Sequence, residues 1–146
     1  MISATLDTSV YIRALHFGGP ATAIIGRARA GSIRIDISDA ILAETNRVLR
    51  DKFQWDGYML QDARERLRAL GNQVFPTETL HVVNEDPDDD RILECAATAK
   101  SDFIVSEDKD LLRLGQFGNT RIVSIRDFIS LALTPQVRPG GKSAGV

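Results

Sequence analysis

The order of apolar patterns along the chain constrains the fold more than any other feature. Five short apolar runs have the length and composition of strands, at residues 2–6, 33–37, 80–83, 103–105 and 121–124. Helical apolar spacing occupies the stretches between and after them, at residues 8–15, 20–30, 38–53, 56–70, 88–99, 108–114 and 126–133. Strands that alternate with helices predict an α/β fold, with a parallel sheet between helices on both faces. Sites in such sheets lie beyond the carboxyl ends of the strands.

The composition is that of an ordinary globular protein of 146 residues, and we expect one domain over residues 1–133. No stretch approaches the ~20 apolar residues of a membrane span, and the N-terminus lacks a signal pattern, so we expect a cytoplasmic protein. The single Cys95 excludes an internal disulfide and a cysteine-rich zinc site. Residues 134–146 are rich in Pro, Gly and small side chains, which predicts a flexible C-terminal tail.

Negative charge is concentrated in one segment of the chain. Residues 81–133 carry six Lys and Arg against eleven Asp and Glu. The broad basic surface of many nucleic-acid-binding proteins is absent. A polyanionic partner would therefore need local arginine clusters or a bridging metal ion.

Several carboxylates stand where predicted strands end or predicted helices begin. Asp7 follows the first strand, and Asp108 follows the strand FIVS. The stretch NEDPDDDRILE, residues 84–94, opens a helix with four aspartates, Asp86, Asp88, Asp89 and Asp90. Their joint position at one edge of the predicted sheet favours a functional site over helix capping, although capping is an alternative explanation for each one alone.

Helical phase distinguishes between these carboxylates. At ~100° per residue from Ile92, Asp89 falls at about 60° on the apolar face, whereas Asp90 falls at about 160° and is predicted to point away. By the same rule Glu44 borders the apolar stripe of its own helix, one turn from Ile41. The inward carboxylates are therefore predicted to be Asp89 and, at the rim, Glu44.

Carboxylates that converge on one cleft repel each other, so their pKa values rise unless a counter-ion is bound. A divalent cation removes this conflict, and an all-oxygen ligand set favours Mg²⁺ or Mn²⁺. The two histidines, His16 and His81, are far apart in the sequence, and we interpret both as structural or surface residues. Mg²⁺ held by carboxylates suits phosphodiester hydrolysis, because the ion binds the phosphate, acidifies a water and stabilises the leaving oxygen.

Four segments, in this order, resemble the PIN domain family of Mg²⁺- or Mn²⁺-dependent ribonucleases. They are the strand end with Asp7 in LDTSV, ISDAILAETNRVL with Glu44, DPDDDRILECA with Asp89, and FIVSEDKDLL with Asp108. The resemblance covers residues 2–132 and is greatest to toxins of toxin–antitoxin pairs. It implies a three-layer α/β/α sandwich with a mostly parallel five-stranded sheet, and RNA cleavage by metal-activated water.

The resemblance also implies roles for individual residues. Asp7 and Asp89 would hold the principal ion, Glu44 and Asp108 would complete the site or orient water, and the hydroxyl groups of two serines would support them, Ser9 and Ser106. Family members often have Asn at the position of Asp90, and Thr-Gly where this chain has Ser106 and Glu107. These departures leave open whether Asp89 or Asp90 binds the metal and whether Glu107 takes part.

The family commonly forms dimers that a small protein inhibits, so the resemblance implies a homodimer, an antitoxin protein and an RNA substrate. The RNA contacts stay open. Several cations fit a phosphate track or a solvated surface equally well, namely Arg27, Arg29, Arg34, Arg47, Arg50, Lys52, Arg64, Arg66 and Arg68. Three aromatic residues fit a core or a subunit interface better than a base-stacking platform, namely Phe53, Trp55 and Tyr58.

Three alternative functions compete with this one. A phosphohydrolase of the haloacid dehalogenase type also has Asp after its first strand, but its motif requires a second Asp where this chain has Ser9. A receiver-like domain requires an acidic pair at the first strand and a phosphate-accepting Asp at a central strand, for which Asp36 is the candidate. A PIN-like domain without activity, acting as an RNA- or protein-binding module, is the third.

Overall fold

A computed structural model of the protein describes residues 1–83 and 86–133. The strands in these residues are β1 (Ile2–Leu6), β2 (Ile33–Ser38), β3 (Asn72–Val74), β4 (Phe103–Val105), β5 (Gln116–Phe117) and β6 (Thr120–Val123). The helices are α1 (Thr8–Ile12), α2 (Ala21–Arg29), α3 (Asp39–Phe53), α4 (Gly57–Leu70), α5 (Pro87–Ala99), α6 (Lys109–Leu114) and α7 (Ile125–Phe128). Two π-helical turns continue α1 and α7, namely Arg13–Phe17 and Ile129–Leu133. The predicted tail, residues 134–146, lies outside the described residues.

The sheet has the strand order β3-β2-β1-β4-β6-β5, and every pairing is parallel except that between β5 and β6. The predicted α/β architecture, a mostly parallel sheet flanked by helices, is confirmed. The predicted number of five strands is wrong, because the two-residue β5 pairs with β6 as a sixth strand at the sheet edge. A strand of two residues is too short to show an alternating pattern in a sequence.

The predicted strand at residues 80–83 is also wrong. The strand beside β2 is β3, which directly follows α4. Residues 80–83 are irregular, and the backbone N–H groups of Val82 and Val83 donate to Asp90 Oδ1 at 2.9 and 2.8 Å rather than to a neighbouring strand. The Leu80 N–H also donates to Glu94 Oε2 at 2.8 Å, so two carboxylates of α5 hold this apolar run beside the helix.

Gly71 lets the chain leave α4 and enter β3 at once. Its backbone is extended, and a Cβ at this position would lie 2.7 Å from Ile37 Cγ2, which is too close for any other residue. The close approach of Gly71 to β2 therefore sets the position of the edge strand. Helix starts follow the sequence prediction where a capping residue was recognised, since Ser38 Oγ accepts the N–H of Ile41 at 3.3 Å.

The core contains a buried polar network around Asp36 on β2. Asp36 is fully buried, and its two oxygens accept hydrogen bonds from Arg34 Nε at 2.7 Å, Asn72 Nδ2 at 2.9 Å and Ser101 Oγ at 2.6 Å. Ser101 Oγ lies 2.8 Å from Thr5 Oγ1 on β1. The network joins β1, β2 and β3 to the turn after α5, so the Asp36 side chain has a structural role and is not free to accept phosphate.

Burial indicates the role of the single cysteine. Cys95 is buried on α5, and burial raises the pKa of its thiol to about 12, as expected for a core residue rather than a nucleophile. In residues 1–83 and 86–133, no helix is both long and apolar enough to cross a membrane.

Candidate metal centre

The candidate site lies where the connections from β1 and β4 lead to opposite sides of the sheet. Leu6 at the end of β1 and Val105 at the end of β4 are direct partners in the parallel register. The next residues, Asp7 and Ser106, therefore emerge side by side at the carboxyl edge, and Ser106 Oγ donates to Asp7 Oδ2 at 2.6 Å. Ser9 Oγ contacts the same oxygen at 3.4 Å. Such a switch point in strand order is where α/β proteins form their sites.

Three further aspartates meet beside Asp7. Asp86, Asp89 and Asp108 each place a carboxylate oxygen within 4.8 Å of those of the other two. Asp86 is the N-cap of α5, Asp89 lies three residues later, in the first turn of the helix, and Asp108 is the N-cap of α6. Two helix starts and one strand end thus bring the carboxylates together, and we call Asp86, Asp89 and Asp108 the acidic triad.

The surroundings of Asp89 disfavour its charged form. Its side chain is buried, and Oδ2 has no hydrogen-bond partner among the described residues. Burial, the charges of Asp108 and Asp86, a hydrogen bond with Asp108 and the charge of Asp7 together raise the pKa of Asp89 to about 8. A buried carboxylate oxygen without a partner, among other carboxylates, fits a hard divalent cation.

Asp7 is influenced by opposing effects. Burial raises its pKa, and the charge of Asp108 raises it further, whereas the hydrogen bonds from Ser106, the Thr8 N–H and Ser9 lower it. The serine hydroxyls therefore favour the charged form of Asp7 and hold its side chain in place.

Glu44 takes a different position from the other predicted ligands. Its carboxylate forms a two-point ion pair with Arg47 on the same helix, with Nη2–Oε1 at 2.6 Å and Nε–Oε2 at 3.0 Å. Arg47 also approaches Asp88 Oδ2 at 3.9 Å. The structure thus groups Asp89 and Asp108 close to Asp7 and leaves Glu44 outside the acidic triad, paired with an arginine.

Asp89 and Asp90 have separate environments. The prediction that Asp90 points away from the protein is wrong, because it is buried under residues 80–83 and accepts the two backbone hydrogen bonds from Val82 and Val83 on Oδ1. Helical phase could not anticipate that an irregular segment would cover this face. An asparagine amide oxygen could accept the same two bonds, which explains why Asn suits this position.

Asp86 is the member of the acidic triad that the sequence analysis did not assign to the site. The sequence offers an N-cap as the alternative role for Asp86, and Asp86 does cap α5, since Oδ1 accepts the Asp88 N–H at 3.0 Å. Its three-residue spacing from Asp89 was the available signal, because residues i and i+3 share one side of a helix. Capping and membership of the triad are therefore compatible at this position.

The raised pKa of Asp89 predicts an unusual dependence of stability on pH in the metal-free protein. Between pH 4 and 8 the folded protein retains a proton on Asp89 that the unfolded chain, with its ordinary pKa of 3.8, has released. The free energy of unfolding should therefore fall as pH rises through this window. Thermal unfolding in EDTA between pH 5 and 9 tests this, and Asp89→Asn should flatten the curve; an equally steep curve in the variant would contradict the assignment.

The fold and the acidic triad together define an α/β protein with a carboxylate site suited to a divalent cation at the carboxyl edge of its sheet. The sequence profile of the PIN domain family matches residues 3–110. The match spans well over half of the chain, so the protein belongs to the PIN domain family, as the sequence resemblance indicated.

Comparison with solved structures supports the same fold. The crystal structure of VapBC2 from Rickettsia felis, bound to a DNA fragment from their promoter, is similar to this chain with a TM-score of 0.60 and 13% sequence identity. The similarity covers 84% of this chain and 98% of the solved chain. No curated protein sequence matches the chain.

Proposed function

We propose that this protein is a metal-dependent endoribonuclease. The observation that supports the proposal most directly is the acidic triad, whose buried Asp89 has an oxygen without a partner and a pKa raised by its acidic neighbours. PIN domains are generally nucleases, so family membership points to the same class of reaction. The haloacid dehalogenase alternative loses its basis with the family assignment.

In the proposed mechanism Asp7, Asp89 and Asp108 would hold the cation, with Asp86 as an additional oxygen donor. Mg²⁺ or Mn²⁺ would supply an acidified water and neutralise the charge of the scissile phosphate. Ser106 and Ser9 favour the charged form of Asp7 and orient its side chain by donating hydrogen bonds to Oδ2. Glu44 on α3 is held by Arg47, and its carboxylate would orient the attacking water only after release from that ion pair.

The structural neighbour suggests a biological setting. VapBC2 is a toxin–antitoxin complex, and we propose that this chain is likewise a toxin held in check by a small antitoxin protein. The homodimer, the cytoplasmic location and the single catalytic domain over residues 1–133 belong to the same proposal. The fold similarity to VapBC2 supports the toxin role, whereas the RNA substrate follows from the site chemistry.

A cleavage assay tests the proposal. We expect the purified full-length protein to cut labelled RNA with Mg²⁺ or Mn²⁺ and to stop when EDTA is added. Asp7→Ala should abolish the cleavage, because it removes a ligand beside the acidic triad, while thermal unfolding shows that the variant still folds. Full activity in Asp7→Ala would refute the assignment. Metal binding without cleavage of any RNA would favour a binding module without activity.

A further inference from the structure

A groove begins beside the candidate metal centre, because its lining includes Thr8 and Ser9, which follow Asp7, and Glu107, which precedes Asp108. It has a volume of ≈ 900 Å³ and lies between α1 with its π-helical turn and α3 on one side and α7 on the other. Ser9 Oγ contacts Asp7 Oδ2 at 3.4 Å, so this end of the groove lies next to Asp7. Phe17 lies eight residues beyond Ser9 along continuous helical backbone, which is at most roughly 12 Å at the ~1.5 Å per residue of an α-helix, since residues 13–17 form a π-helical turn with a smaller rise. The groove is therefore long enough to take chain flanking the reacting group.

The cations of this groove are free to bind an anion. Arg13, Lys52 and Arg126 line it, and in the part of the chain that the structure describes none of them forms an ion pair with a carboxylate. By contrast, several other arginines of the described residues are paired with acids, namely Arg34, Arg47, Arg50, Arg66, Arg68, Arg91 and Arg113. Glu107 is the single acid among the described lining residues, so the groove has a local positive excess on a protein of net charge −2.

The same groove presents an aromatic surface. Phe17 is 65% exposed, although it packs edge-on against Phe53, with ring centroids 5.3 Å apart, and against His16 at 4.8 Å. Trp55 Nε1 donates to His16 Nδ1 at 3.1 Å and so fixes the position of the His16 ring in this cluster. Tyr58, which the sequence analysis grouped with Phe53 and Trp55, is 83% exposed. The cluster thus holds one phenyl ring in place with most of its surface in solvent.

We propose that the groove binds the single-stranded RNA that flanks the scissile phosphate. Arg13, Lys52 and Arg126 contact its phosphates, and an unpaired base stacks on Phe17. Proteins that bind single-stranded nucleic acids combine cations for the phosphates with exposed aromatic rings for the bases. A base inside a duplex has no free face for such stacking. An acidic peptide would satisfy the cations, but it would not need the exposed ring. The inference rests on the proposed ribonuclease function, because the groove is argued as an extension of that site.

Binding measured without cleavage tests the groove by itself. Fluorescence anisotropy of a labelled, unstructured RNA oligonucleotide would be recorded in EDTA with the Asp89→Asn protein, so that no product forms. Phe17→Ala should weaken binding about tenfold, whereas Phe17→Trp should retain it. Arg13→Ala and Arg126→Ala should weaken binding and reduce the dependence of affinity on salt concentration.

Matched variants outside the groove serve as controls. Phe75 is 70% exposed and Arg29 is exposed, and neither lines the groove, so Phe75→Ala and Arg29→Ala should bind RNA like the parent protein. A double-stranded RNA of the same sequence should compete poorly. Unchanged RNA affinity in Phe17→Ala and Arg13→Ala would overturn the inference. The inference would also be overturned if Phe17→Ala and Arg13→Ala lost binding to an acidic amphipathic peptide but still bound RNA. That result would show a protein-docking surface instead.

The two proposals fail in different ways. If wild-type protein cleaves RNA and the groove variants both bind and cleave normally, the groove inference is wrong and the nuclease function stands. If no RNA is cleaved but binding depends on Phe17 and Arg13, the nuclease function is wrong and the groove is an RNA-binding surface.

Discussion

Asp89→Asn should reduce metal-dependent RNA cleavage by about 1000-fold or more, equivalent to about 4 kcal/mol of transition-state stabilisation. The substitution keeps the shape of the side chain and removes the charge that a cation needs. It should not lower stability, because Asp89 lies among like charges and its Oδ2 has no partner in the described part of the chain. Single-turnover cleavage and thermal unfolding in EDTA at pH 8 measure the two effects separately.

Asp90→Asn provides the matched control for this result. Asp90 is the next residue and is equally buried, but its Oδ1 accepts two backbone N–H groups, which an amide oxygen can also accept. We expect the variant to cleave RNA within tenfold of the wild type. If Asp90→Asn lost cleavage as completely as Asp89→Asn, the distinction between a metal ligand and a structural carboxylate would be wrong.

Asp36→Ala should lower the free energy of unfolding by about 3 kcal/mol. The change removes a fully buried acceptor and leaves the buried Ser101 hydroxyl without it, whereas the exposed Asn72 amide can be hydrated. Arg34 contributes less to the loss, because its side chain is 43% exposed and can be hydrated. Urea unfolding with an unchanged slope would measure the effect, provided that the variant folds.

Arg34→Ala is the companion variant for Asp36. It removes one exposed partner and leaves the hydrogen bonds from Ser101 and Asn72 to Asp36 in place, so we expect a loss of about 1 kcal/mol. RNA cleavage below the unfolding transition should survive in both variants, since the network lies under α5 and not at the acidic triad. Wild-type stability in Asp36→Ala would show that the network is not a determinant of the fold.

The Arg47–Glu44 pair illustrates how a side chain predicted for a site can be diverted from it. Glu44 lies at the border of the apolar stripe, as its helical phase predicts, but an arginine three residues later on the same helix binds both of its oxygens. A sequence shows the charge pattern along one helix. Whether a carboxylate binds an arginine or a metal ion depends on the groups that other helices place near it.

Local sequence determined most of the elements and the identity of the central carboxylates. The alternation of apolar runs and helical spacing predicted the α/β fold, because side-chain period depends only on neighbours along the chain. The family motifs selected Asp7, Asp89 and Asp108, and helical phase favoured Asp89 over Asp90. The structure places these three aspartates close together.

Long-range contacts decided the features that the sequence left open or for which its prediction was wrong. Residues 80–83 have the composition of a strand, yet they pair with the Asp90 carboxylate, and the three-residue β3 takes the place beside β2 because Gly71 permits a close approach. Asp86 joins the acidic triad because α5 and α6 begin side by side, and the groove exists because α7 packs opposite α1 and α3. Each of these features depends on the relative placement of elements distant in the chain, which no local pattern encodes.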